Sequence, residues 1–230
     1  MVRAVTFDVG YTLLQRKIFP LDRWFAERCR LAGMTLSSRA ALEGARAWVR
    51  FEVANPDSRA NPITQRWLRE RAVAGLRAAG VVGNDEDGIL ERFRAAGSQM
   101  ETGWRLDPDV PAILEALRQR GLRLGVVSNW NATLREDLEA IGIARHFDSI
   151  VDSASAGTEK PDRRIYELSC ADLGVPAAEC VHVGDSPPHD VAVARAVGAT
   201  PILYDPLQCL EGDCIRIERL MDLVGALDGG

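Results

Sequence analysis

Val2-Arg3-Ala4-Val5-Thr6-Phe7-Asp8-Val9-Gly10-Tyr11-Thr12 opens a chain of 230 residues and decides how the rest is read. Residues 2–7 are short, apolar and rich in β-branched side chains, which predicts a buried strand, and the residues from Asp8 onward mark a turn. An acid therefore stands at the carboxyl end of the first strand. Directly downstream the texture changes. From about Gln15 to Trp104 strand-like runs vanish, and Arg, Ala, Leu, Glu and Trp recur at helical spacing. Gly33 closes one predicted helix, and Asn55-Pro56-Asp57 breaks another. Asn61-Pro62 starts a third with Pro in its first turn, and Gly80 to Gly83 ends it.

Beyond Trp104 helices and strands alternate. Val110, Ile113, Leu114 and Leu117 fall at i, i+3, i+4 and i+7 before Gly121, as on the buried face of a helix. A strand over 122–127 then delivers Ser128-Asn129, and Leu134, Leu138 and Ile141 mark a helix stopped by Gly142. The alternation continues with a short strand at 149–151, a helix over 165–173, a strand over 180–183, a helix over 191–197 and a strand over 201–204. Repeated βα units imply an α/β fold with a doubly wound parallel sheet. Residues 1–14 and 105–230 would build it, with 15–104 inserted as a helical block. Ligands of such sheets sit outside the carboxyl ends of the strands, where polar residues should converge.

The bulk numbers narrow the partners. A formal net charge of -5 supplies no basic field for a polyphosphate backbone, so nucleic acid is not expected. Cys29, Cys170, Cys180, Cys209 and Cys214 form no Cys-x-x-Cys pair and read as reduced thiols filling the core. No stretch approaches transmembrane length, and the opening apolar segment is too short for a signal sequence. The expectation is a soluble cytoplasmic protein, monomer or homodimer, without membrane contact.

Four strand-end features remain: Phe7 to Thr12, Val127-Ser128-Asn129, Glu159-Lys160-Pro161-Asp162, and Val183-Gly184-Asp185-Ser186 followed by Asp190. In this order and spacing they resemble the four motifs of the haloacid dehalogenase superfamily of hydrolases, and the helical block resembles its inserted cap. The resemblance spans nearly the whole chain. It implies a Rossmann-like core and a magnesium-dependent phosphatase acting on a small phosphorylated metabolite.

The residues suit that chemistry. An Asp carboxylate is ionised at neutral pH, so Asp8 can attack phosphorus without a base. Thr12 can hold the turn or phosphoryl oxygens, and Ser128 with the Asn129 backbone N–H can stabilise transition-state charge. Asp185 follows a glycine that lets the backbone turn tightly, and it is aimed at a hard cation shared with Asp8. The expected metal is Mg²⁺, which neutralises charge between nucleophile and phosphate. Its expected ligands are Asp8, Gly10, Asp185 and Asp190. The family coordinates metal through the backbone carbonyl of the position held by Gly10, and Asp190 resembles the second acid of the last motif, binding metal-held water or orienting Lys160. Only Lys17 and Lys160 are lysines, the other fixed cations being Arg, and a compact ammonium between phosphate and carboxylate is a physical reason for that exception.

One departure qualifies the reading. Superfamily phosphatases usually carry a second Asp two residues after the nucleophile as general acid and base, and here that position is Gly10. Such catalysis is worth roughly 10²–10⁴ in rate, so alkyl phosphates should turn over slowly. Three readings stay open: a phosphatase, a regulatory phosphate-binding protein on the same fold, and a metal-independent haloacid dehalogenase, against which the Gly184-Asp185 pair argues. Lys17 as a Schiff-base lysine and His189 as a proton relay are further options. Arg16, Arg23, Trp24, Arg50, Arg59 and Arg66 are possible substrate contacts of the cap, with Trp24, Trp48 and Trp67 more naturally packing residues.

Overall fold

The computed structural model describes residues 1–18, 20–57, 63–83, 85–101 and 103–228. Arg59 and the Asn61-Pro62 helix start lie outside them. The chain runs through β1 (Ala4–Phe7), β2 (Leu14–Arg16), α1 (Leu21–Leu31), α2 (Ser38–Ala54), α3 (Gln65–Ala78), α4 (Glu86–Gly97) and β3 (Trp104–Leu106). It continues through α5 (Val110–Gln119), β4 (Arg123–Ser128), α6 (Leu134–Ile141), β5 (Ser149–Asp152), α7 (Ser153–Ala156) and α8 (Arg163–Leu173). Last come β6 (Cys180–Gly184), α9 (Ala192–Val197), β7 (Thr200–Tyr204), β8 (Ile215–Ile217) and α10 (Leu223–Asp228). Contacts divide it into two units, Met1–Gln15 with Arg105–Gly230, and Arg16–Trp104.

The first unit holds a six-stranded sheet in the order β5-β4-β1-β6-β7-β8, with parallel pairing throughout. The α/β reading is thereby shown. β1 lies at the centre because it is apolar on both faces: Ala4, Val5 and Phe7 are fully buried, and Phe7 pairs with Val126 on one side and Val183 on the other. This register brings the ends of β4, β1 and β6 level, so Ser128, Asp8 and Asp185 follow one another across the same rim of the sheet. Helix α5 buries Val110, Ile113, Leu114 and Leu117, the four residues its periodicity singled out. α6 stops at Gly142, whose φ of 86° is a left-handed turn that a Cβ would strain.

The structure adds elements that periodicity did not reveal. β2 and β3 pair as a two-stranded ribbon at the edges of the block that was expected to be wholly helical. Three residues per strand are too few to show an alternation. β8 and α10 extend the fold past 204, and α4 completes the helical set with Asp85 as its cap, the carboxylate accepting from the Gly88 N–H at 3.1 Å. The second unit packs around an aromatic centre, Phe25, Trp48 and Phe93, with ring centroids 5.6–6.2 Å apart. Among the described residues no helix is long and apolar enough to cross a membrane.

Candidate functional site

The loop after β1 is fixed by the chain around it. The Asp8 N–H donates to the Val183 carbonyl at 2.9 Å, and the Gln15 amide donates to the Tyr11 and Thr12 carbonyls at 3.0 and 3.2 Å. Tyr11 takes a left-handed backbone, φ 61°, which a non-glycine residue adopts only under such constraint. Asp8 is thus carried on a short, tied turn at the rim.

Its carboxylate is held on one side. Oδ1 of Asp8 accepts from Ser128 Oγ at 2.9 Å and from Lys160 Nζ at 2.5 Å. Among the described residues nothing donates to Oδ2. Lys160 Nζ also donates to Asp190 Oδ1 at 2.5 Å, so one buried ammonium bridges two buried carboxylates. Burial disfavours the charged lysine, but Asp190 and Asp8 outweigh it and hold its pKa above the ordinary range. Burial would likewise raise Asp190, yet the Lys160 ammonium and the His182 imidazole pull it well below a normal carboxylate. Asp8 goes the other way: burial and the Asp190 charge raise it despite Lys160.

Asn129 has a part the sequence did not suggest. Its side-chain oxygen accepts from the Lys160 N–H at 2.8 Å and its amide donates to the Lys160 carbonyl at 3.1 Å, so it clamps the lysine's backbone. Thr12, fully buried, donates to Asp185 Oδ1 at 3.3 Å rather than standing as a simple turn residue. One carboxylate oxygen each from Asp8, Asp185 and Asp190 lies within 4.8 Å of the other two. Both oxygens of Asp190 are engaged: Oδ2 accepts from the Ser186 N–H at 2.9 Å while Oδ1 faces Lys160 and His182.

Gly184 corrects the expected reason for a glycine before Asp185. It is not among the left-handed glycines; a Cβ there would lie 2.2 Å from Asp190 Cγ, so the residue makes room for that side chain. His189, on the turn Pro187–Val191, meets Ser186 Oγ through Nδ1 at 3.0 Å. Lys17 is an exposed residue paired with Glu101 at 2.7 Å, and Arg66 is likewise paired with Glu70. Trp48 is buried and Trp67 Nε1 donates to the Asn55 carbonyl, the packing roles expected of them.

Sequence reasoning missed a buried chain behind the lysine. Thr6 Oγ1 lies 2.9 Å from both Tyr166 Oη and His182 Nδ1, and His182 Nε2 lies 3.3 Å from Asp190 Oδ1. The Thr6 hydroxyl has two acceptors for its single proton, the Val181 carbonyl at 3.2 Å and His182 Nδ1, while Tyr166 can donate to Thr6 and His182 Nε2–H to Asp190. A lone histidine inside an apolar strand was the available signal.

A family model described as haloacid dehalogenase-like hydrolase matches residues 2–198. The haloacid dehalogenase-like hydrolase domain-containing protein 3 of Bos taurus is 30% identical over 245 residues, covering 99% of this chain and 94% of the bovine protein. A glyceraldehyde 3-phosphate phosphatase of Methanothermobacter thermautotrophicus is 30% identical, covering 89% of this chain and 86% of its own. Among solved structures, a phosphatase of the same superfamily from Thermococcus onnurineus superposes with a TM-score of 0.61 at 23% identity, covering 99% of each chain.

Proposed function

Since the chain belongs to the haloacid dehalogenase-like hydrolases, we propose that it is a Mg²⁺-dependent phosphatase of small phosphorylated metabolites that works through an aspartyl-phosphate on Asp8. The observation that carries this reading is the Asp8 carboxylate itself, with one oxygen held by Ser128 and Lys160 and the other without a donor at the rim of the sheet. Residues 15–104 would act as the cap that selects substrate.

The donor set fits a hard divalent ion. Three carboxylates gather beside one ammonium, which pairs with Asp8 and Asp190 and leaves Asp185 as an excess of negative charge, and all are oxygen ligands. Asp8, the Gly10 carbonyl and Asp185 would hold the metal. With both oxygens of Asp190 already engaged, its part is to position Lys160. When bound, Mg²⁺ supplies charge neutralisation and orients the phosphoryl group.

The unpaired Asp8 oxygen attacks phosphorus, the phosphorus–oxygen bond to the leaving group breaks, and Lys160 and Ser128 donate toward the oxygens on which charge accumulates. Water then attacks the phosphorus of the Asp8 phosphate, releasing inorganic phosphate and restoring the carboxylate. Gly10 has no side chain to protonate the leaving group or to deprotonate that water. Substrates whose leaving groups depart as stable anions, aryl and acyl phosphates, are therefore favoured over alkyl phosphates.

The test is phosphate release from p-nitrophenyl phosphate, acetyl phosphate and glycerol phosphate, with Mg²⁺ and with chelator. Release from the first two should require Mg²⁺ and vanish in Asp8→Asn. No Mg²⁺-dependent, Asp8-dependent release on any of the three would refute the reading. Gly10→Asp restores an acid, and glycerol phosphate turnover should rise by about two orders of magnitude, the low end of the roughly 10²–10⁴ that a general acid contributes.

A further inference from the structure

The helical unit, taken by itself, contains a cavity of about 400 Å³ between α1, α2, α3 and α4, within the roughly 300–1,000 Å³ of small-molecule sites. Trp48, Phe93, Leu90 and Leu68 supply its apolar wall, and Arg28 and Arg71 its innermost charge. Both guanidiniums lie over aromatic rings. Arg28 Cζ is 4.3 Å from the Phe93 centroid, and Arg71 Cζ is 4.1 Å from Trp48 and 4.5 Å from Trp67.

The two cations are not equally compensated. Arg71 is paired with Glu52. Arg28 donates through Nε to the Phe93 carbonyl at 2.9 Å, and among the described residues it has no carboxylate partner. Its guanidinium lies against the end of α4, where a Cβ on Gly97 would be 2.7 Å from Nη2. Burial and the neighbouring Arg71 charge push Arg28 down to about 10, so the cation is held in a place that disfavours it. The lining as a whole carries four arginines, Arg28, Arg69, Arg71 and Arg94, against Asp87 and Glu91. Arg69 is already paired with Asp87 at 2.9 Å.

We propose that this cavity binds a small aryl carboxylate, its carboxylate on the Arg28 guanidinium and its ring against Trp48, Leu68 and Leu90. A planar guanidinium short of a counter-charge matches a carboxylate in a two-point hydrogen bond. An apolar wall beside Arg28, a half-buried cation without a carboxylate partner among the described residues, suits a flat monoanion better than a multiply charged, strongly hydrated phosphate. The proposal does not rest on the phosphatase reading, because every group it uses belongs to residues 28–97.

Isothermal titration of the full chain with 2-naphthoate tests it, with 2-naphthalenemethanol and inorganic phosphate as controls. The expected result is one site per chain with a Kd below about 1 mM, and at least tenfold weaker binding for both controls. Arg28→Gln should weaken 2-naphthoate at least tenfold. Arg94→Glu, an exposed change that leaves the helix core intact, should weaken it about threefold and serves alone if Arg28→Gln does not fold. Asp8→Asn should bind as the parent does while losing phosphate release. Absence of saturable heat, equal affinity for the neutral alcohol or phosphate, indifference to the Arg variants that fold, or loss of binding in Asp8→Asn would each overturn the proposal.

Discussion

A methyl group on Gly184 would lie 2.2 Å from Asp190 Cγ, closer than two unbonded carbons can approach. Neither partner is free to move, since Gly184 ends a central strand and the Asp190 carboxylate is tied to Lys160, His182 and the Ser186 N–H. Gly184→Ala should therefore cost about 1–3 kcal/mol in chemical unfolding, with phosphate release falling together with the displaced Asp190. His182 acts at one remove. His182→Ala should lower kcat about tenfold with KM little changed, because it frees the carboxylate that positions Lys160 without touching substrate. A parallel rise in KM would mean that the imidazole only holds the strand. At this scale the sequence was partly legible. Asp8, Ser128 and Asp185 could be singled out because each ends or directly follows a predicted strand, and Lys160 because it is one of two lysines and lies on the loop between a predicted strand and a predicted helix. Their convergence is a fact of the structure, and their roles in a reaction belong to the proposal. His182 and the Asn129 clamp were hidden because each depends on a partner 30 or more residues away, or on burial that a single strand does not declare.

Among the elements, α1, α2 and α3 meet where two glycines face one ring. Ideal Cβ atoms on Gly44 and Gly75 would stand 2.3 and 2.7 Å from atoms of Phe25. Glycine in a helix interior is ordinarily about 1 kcal/mol worse than alanine, so helix propensity alone favours Gly44→Ala. Close packing predicts the opposite sign: Gly44→Ala should lower the midpoint of thermal unfolding because Phe25, fully buried, has nowhere to go. A higher midpoint would show that the ring shifts freely. Long amphipathic stretches such as α5 and the short apolar strands β4 and β6 were readable from period and punctuation. The β2–β3 ribbon, β8 and the start of α4 were not, since segments of three residues carry no period and α4 begins on acids rather than on an apolar stripe. The wide, π-helical turn of Pro187–Val191 likewise precedes α9 where a helix over 191–197 was expected to begin directly.

For the molecule as a whole, stability against pH should follow the ammonium and its two carboxylates. The depressed Asp190 contributes stability that is complete above an ordinary carboxylate pKa and disappears as pH falls through its folded value. The elevated Lys160 contributes stability that is complete below an ordinary lysine pKa and is lost as pH rises through its own. Lys160→Met removes the bridge and leaves two buried carboxylates facing each other. The melting temperature of that variant should rise as pH is lowered from 7 to 5, where the parent's stays level or falls, in scans without metal. Mg²⁺ should raise the parent's melting temperature and leave that of Asp185→Asn unchanged. The placement of β1 has one more consequence, which concerns how the chain is made. This strand leaves the ribosome before the other five of its sheet, yet its two neighbours, β4 and β6, are separated from it by more than a hundred and more than 170 residues. Until β4 emerges both edges of this apolar segment are open, and until β6 emerges one still is, so it must be kept from pairing elsewhere. Slow or interrupted translation between residues 7 and 180 should therefore send more of the product into aggregates than the same pause placed after residue 205.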